Sequence, residues 1–126
     1  MRNLKMVIGY DGTNFNGWQI QPNYRTVQEV LETTIQQITQ HRPYANASGR
    51  TDAGVHAIGQ VVNFYSPTKI PAEKLVGAVN AYLPEDVVVK SCEDVGQGFD
   101  ANKDAIRKLY RYVIRDNAIP DPFLRK

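Results

Sequence analysis

Cysteine, tryptophan and histidine are almost missing from this chain of 126 residues, which has one Cys, one Trp and two His. The single thiol, Cys92, excludes an internal disulfide and any multi-cysteine zinc site; within a valine-rich segment it reads as core. His56 and the nearby Asp52 lack the companions that metal-ligand spacing requires, so no metal site is expected. No apolar run approaches the ~18 residues of a membrane-spanning helix, and the polar opening Met1-Arg2-Asn3 is unlike a secretory signal. A cytoplasmic location is the resulting expectation. Excess charge is scarce too: the net charge is +2, too small by itself to announce a nucleic-acid binder.

What is present suffices for one domain with a real core, since 42% of the residues are hydrophobic. The charge is unevenly placed. Residues 1–100 carry 8 basic and 10 acidic side chains, whereas residues 101–126 carry 7 and 3. A basic stripe with interleaved tyrosines suits a phosphate backbone and stacked bases, and equally suits a solvated strand face.

Hydrophobic periodicity gives the order of elements. Residues 4–10 read as a strand that runs into the turn Asp11-Gly12. The loop 13–24 holds Phe15 and Trp18, and a lone indole in such a loop is expected to pack on the core as its anchor. Thr26, three residues before Glu29, marks a helix start, and Val27, Val30, Leu31, Thr34, Ile35 and Ile38 form its apolar stripe. The helix should run to about His41, in its last turn, and stop before Pro43. Residues 44–47 make a short strand. Residues 57–65 alternate, with Ile58, Gln60, Val62 and Phe64 on one face and Val61, Asn63 and Tyr65 on the other. Pro71 suits the first turn of a second helix whose apolar side is Leu75, Ala78, Val79 and Tyr82, and Pro84 closes it. Residues 87–92 are the next strand, residues 93–104 read as irregular, and residues 107–115 as a final strand. The order β-α-β-β-α-β predicts an α+β ferredoxin-like unit, with a four-stranded antiparallel sheet, two helices on one face and the other face open, plus an additional C-terminal strand.

Between two of these strands lies Ser48-Gly49-Arg50-Thr51-Asp52-Ala53-Gly54-Val55-His56. Its glycines allow sharp turns and close backbone approach. An aspartate in such a loop, two residues after an arginine, has three chemical uses: nucleophile, proton carrier, or simple partner of Arg50 in a surface turn. The residues alone leave all three open.

The string Gly49-Arg50-Thr51-Asp52-Ala53-Gly54-Val55-His56 resembles the active-site loop of the TruA family, the tRNA pseudouridine synthases. Further strings resemble the same family in the right order: Gly9-Tyr10-Asp11-Gly12, Gly17-Trp18-Gln19, Thr26-Val27-Gln28, Gly59-Gln60-Val61, Asn80-Ala81-Tyr82-Leu83-Pro84 and Tyr110-Arg111-Tyr112. The likeness runs over nearly the whole chain but only the first half of a family member. It implies that residues 1–126 are the N-terminal half of the catalytic domain, inactive without the other half. The implied activity isomerises uridine to pseudouridine in the anticodon stem-loop of tRNA, by a homodimer, with no metal or cofactor. Asp52 matches the family's catalytic aspartate, acting at the ribose as nucleophile or base. Tyr110 matches the tyrosine that packs against the target base; read without the family it is an ordinary strand aromatic. Arg50 is expected to hold the Asp52 carboxylate by a bidentate charge-assisted pair until uridine displaces it. The family usually has a histidine or similar polar residue, then an arginine, where this chain has Asp100 and Asn102, which puts one RNA contact in doubt.

Two other readings compete. A non-catalytic RRM-like module would bind single strands through Tyr110, Tyr112 and the C-terminal cations, yet residues 57–65 carry no aromatic RNP string. A small glycoside hydrolase would need a second carboxylate, and none is identifiable beside Asp52 in sequence.

Overall fold

The computed structural model describes residues 1–105. The elements follow the expected order: β1 (Arg2–Tyr10), α1 (Val27–Thr39), β2 (Asn46–Ala47), β3 (Ala57–Ser66), α2 (Ala72–Tyr82) and β4 (Val87–Val95), with a short 3₁₀ turn at Gly12–Asn14 in what the sequence offered as loop. The sheet order is β2-β3-β1-β4 and every pairing is antiparallel. This is the ferredoxin-like arrangement. The expected C-terminal strand, residues 107–115 with Tyr110, lies outside the described residues.

Strand β1 is central because its alternate residues Leu4, Met6, Ile8 and Tyr10 can all enter one core, where they meet Val62 and Phe64 of β3 and Val87 and Val89 of β4. The helices cover that face with Val27, Leu31 and Ile35 from α1 and Leu75 and Val79 from α2. Each such buried aliphatic side chain contributes about 1.5–3 kcal/mol of transfer free energy.

Helix α1 starts as expected, with the Thr26 hydroxyl accepting from the Glu29 N–H. It ends two residues sooner. Gln40 turns left-handed at φ 64° and closes the helix, so His41 lies beyond the last turn rather than in it. Pro71 caps α2 from the position before its first turn, where a missing N–H likewise costs nothing. Tyr82, expected on the apolar side of α2, is 64% exposed at its last residue.

Three further expectations are corrected by the sheet. Ile58 was placed on the inner face with Val62 and Phe64 but is 83% exposed. The β1–β3 ladder runs from Ile8↔Gln60 to Tyr10↔Ala57, so β3 has one residue more than β1 there, and that bulge reverses which face Ile58 occupies. Strand β4 extends through Val95, because Leu4 and Asn3 of β1 supply backbone partners to Asp94 and Val95 whatever the polarity of their side chains. The second sheet face is not left fully open. Asn3 donates its Nδ2 to the carbonyls of Gly96 (2.8 Å) and Phe99 (3.1 Å), and Asn63 Oδ1 accepts the Ala101 N–H at 2.8 Å. The segment after β4 therefore crosses that face and enters a helical stretch at 101–105.

Candidate active site

The loop 48–56 leaves β2 and returns as β3, and the residues at its start are pinned to the sheet. Ser48 extends the ladder by donating its N–H to Val61 at 2.8 Å. Gln60, 8% exposed, accepts from the Ser48 hydroxyl at 3.0 Å and donates its Nε2 to the Gly49 carbonyl. One side chain thus fixes two successive residues before Arg50.

Around Asp52 the anchors come from the segment after β1. The Thr51 carbonyl accepts the Trp18 N–H at 3.1 Å, and its hydroxyl lies 2.8 Å from the Tyr10 hydroxyl. On the other side Gly54 donates its N–H to the Phe15 carbonyl (3.2 Å), and the Gly12 N–H donates to His56 Nδ1 (2.9 Å). That bond makes Nδ1 an acceptor, so its 3.2 Å approach to Asp11 Oδ1 is not a hydrogen bond in the same tautomer. The Asp52 backbone carbonyl accepts the Val55 N–H at 3.1 Å, in a turn whose third residue, Gly54, has φ +81°.

Close approach is what the neighbouring glycines provide. A Cβ on Gly12 would lie 2.0 Å from the Val55 oxygen, and one on Gly17, at φ +85°, 2.7 Å from the Thr51 oxygen. The segment 11–18 is itself held by the core. Phe15 and Trp18 are 3% and 2% exposed, so Trp18 anchors the loop as expected rather than offering a stacking surface. Arg25 lies 4.0 Å from the Phe15 ring centroid and forms a two-pronged pair with Asp86 at 2.9 and 3.1 Å. The guanidinium bonds hold the Asp86 carboxyl below its ordinary range.

The result is a stiff backbone bearing a carboxylate that, among the described residues, has no side-chain ion pair. Asp52 is exposed and opens onto a cleft of about 240 Å³ shared with Asn16, Gln19, Gln21, Arg50 and Thr51. Arg50 lines the same cleft but, among the described residues, forms no ion pair with Asp52, so the bidentate pair read from the sequence is not formed here. Its guanidinium faces solvent between this cleft and a second one that includes Gln19, Tyr44, Asn46 and Asn102. Larger grooves of about 490 and 500 Å³ do not include Asp52, although the first reaches the far end of the loop at His56, beside Tyr10 and Asp11. Tyr110 lies outside the described residues.

Asp100 and Asn102 stand where a polar residue and a cation were expected. Asp100 caps the helical stretch, accepting the Lys103 N–H at 2.9 Å and the Asn46 Nδ2 at 3.1 Å; the first of these bonds leads in lowering its pKa. Its role here is structural. Sequence reasoning gave no part to Tyr10 and Gln60, which support the loop from below. The available signal was that both lie in strings already singled out, Gly9-Tyr10-Asp11-Gly12 and Gly59-Gln60-Val61, which converge in space on residues 49–56.

A family described as tRNA pseudouridine synthase matches residues 6–102. The tRNA pseudouridine synthase A of Thermoanaerobacter sp. (strain X514) is 48% identical over 125 residues, covering 99% of this chain and 51% of the relative. Those of Exiguobacterium sp. (strain ATCC BAA-1283 / AT1b) and Bacillus subtilis (strain 168) are 46% and 47% identical, covering 99% and 97% of this chain and half of each relative. The chain spans about half the length of these curated relatives.

Proposed function

Because this chain belongs to the tRNA pseudouridine synthase family, we propose that residues 1–126 are the N-terminal half of an enzyme that isomerises uridine to pseudouridine in tRNA. The observation that supports this reading most directly is the exposed Asp52 carboxylate on a loop tied down at Thr51 and Gly54.

The reaction breaks the bond between ribose C1′ and base N1, turns the detached uracil, joins C5 to C1′, and gives up the C5 proton while N1 takes one up, so that product and substrate are isomers. Asp52 serves at the sugar by one of two routes: attack on C1′ to form a glycosyl ester, or removal of the C2′ proton. Both need an ionised carboxylate held against a moving substrate, and a solvent-facing side chain on a fixed backbone meets that need. Arg50, free of Asp52 and facing the cleft, would meet the substrate's anionic backbone as it enters. Tyr110 would stack on the base, and the uridine must leave its helix stack to reach them.

The substrate class we favour is the anticodon stem-loop of tRNA and the working form a cytoplasmic homodimer, with the missing half completing the cleft. Among the described residues no helix is long and apolar enough to cross a membrane. The RRM-like alternative is weakened by the second sheet face, where such a module needs open aromatics. Here that face carries Asn3 and Asn63 under the crossing segment 96–101, and the hydroxyl of its Tyr65 is engaged by the Gln97 carbonyl of that segment.

The test is Asp52→Asn in the full-length protein, with pseudouridine in tRNA quantified by chromatography of the nucleosides. Formation should fall by about 10²- to 10⁴-fold, the span for removing an essential acid–base group. Turnover near the wild-type rate would remove Asp52 from the chemistry.

A further inference from the structure

We propose that Tyr10 is a positioning residue for Asp52, acting through the Thr51 hydroxyl. The inference rests on the reading of Asp52 as the catalytic carboxylate and adds a residue outside the loop to that site.

Tyr10 ends β1, the central strand, and is 5% exposed. Its ring meets Phe15 edge-on at 6.4 Å and 71°, so neither the ring nor its hydroxyl has room to wander. The hydroxyl lies 2.8 Å from Thr51 Oγ1, and burial keeps it protonated by raising its pKa. Gln60 in turn holds Gly49 and Ser48. Tyr10 from β1 and Gln60 from β3 thus hold residues 48–51 from below as a cluster rooted in two strands of the sheet.

What this cluster controls is the residue immediately before Asp52. Thr51 is held twice, by its hydroxyl to Tyr10 and by its carbonyl to the Trp18 N–H. The carbonyl bond alone lets Thr51 pivot about the Trp18 contact. The hydroxyl bond removes that freedom and fixes the direction in which the next Cα, and so the carboxylate, leaves the backbone. The cluster lies on the protein side of the loop and Asp52 opens to the cleft, so Tyr10 acts on the reaction only through Thr51.

The experiment is a double-mutant cycle in the full-length protein. Tyr10→Phe keeps the ring and removes only the hydroxyl; Thr51→Val removes its partner; Thr51→Ser keeps the partner. Positioning predicts that Tyr10→Phe and Thr51→Val each lower kcat on the order of 10- to 100-fold, the scale of a displacement near 1 Å. KM for tRNA should change less than about twofold, since no substrate contact is lost. The double variant should be no worse than either single one, and Thr51→Ser should restore kcat. Additive losses, a change confined to KM, or wild-type kcat in Tyr10→Phe would overturn the proposal. Asp52→Asn assayed alongside separates the two ideas, because an active Asp52→Asn protein refutes the catalytic reading, whereas an inactive one beside a fully active Tyr10→Phe refutes only the positioning.

Discussion

Replacing Gly17 by alanine should damage the loop carrying Asp52 although the substitution adds one methyl group to a residue outside it. Two costs combine. Gly17 has φ +85°, where an L residue is strained by about 1–2 kcal/mol. The new Cβ would stand 2.7 Å from the Thr51 oxygen and 3.3 Å from the Asp52 carbonyl carbon, both backbone atoms that cannot rotate away. Relief requires the loop to retreat by several tenths of an ångström, which stretches the Trp18 N–H to Thr51 carbonyl bond from its 3.1 Å and forfeits about 0.5–1.5 kcal/mol. The sum is about 1.5–3.5 kcal/mol of stability, and kcat should fall on the order of 10-fold or more as the carboxylate is displaced. Urea unfolding and steady-state kinetics of the full-length protein measure the two effects. Gly77→Ala is the matched comparison, since Gly77 lies within α2 with nothing within 4 Å of an added Cβ, and it should stabilise by about 0.5–1 kcal/mol. If Gly17→Ala behaves like Gly77→Ala, the segment 11–18 does not set the place of Asp52.

Glu32→Ala should cost about 1–3 kcal/mol, because the buried carboxylate accepts from the Ala45 N–H at 2.9 Å and the Gln28 amide at 3.1 Å, and both would lose an acceptor; the urea midpoint reads the loss. Acidification should also weaken the fold. Asp86 and Asp94 are held below the ordinary carboxylate range chiefly by hydrogen bonds from Arg25 and Arg2. A depressed folded-state pKa contributes stability that is complete above the unfolded value of about 4 and declines as pH falls through the depressed values. Urea midpoints followed from pH 6 to pH 2 should fall in that window, and Arg25→Gln should flatten the decline; an equally steep profile in the variant would remove the pair as a cause.

The fold was legible wherever apolar spacing decides burial. Val27, Leu31 and Ile35 on α1, Leu75 and Val79 on α2, and Val62 and Phe64 on β3 all reach the core the pattern assigns them. It failed where backbone pairing or polar matching decides. The end of β4 is carried by ladder bonds to Asn3 and Leu4, and no hydrophobic count registers Glu93 or Asp94 as strand. The segment 96–101 is attached through Asn3 and Asn63, whose burial depends on carbonyls and N–H groups that only the folded chain brings near. At the candidate site, the string Arg50-Thr51-Asp52 marked the place. The attachment of Thr51 to Tyr10 and Trp18 was hidden, because it joins residues more than 30 positions apart. The separation of Arg50 from Asp52 was hidden for a related reason, since two residues apart in a turn does not fix whether side chains meet.

The sheet order has a further consequence for how the molecule assembles. Strand β1 is synthesised before both of its partners, and Asn3 finds one neighbour at Tyr65 and the other at Val95. Until some 90 residues have emerged, an apolar ribbon bearing Leu4, Met6 and Ile8 has at least one bare edge. Such distant pairing slows folding and leaves the nascent chain open to rival strands. The loop inherits the delay, for Tyr10 sits on that first ribbon and Asn46, at the loop's entry, leans on Asp100.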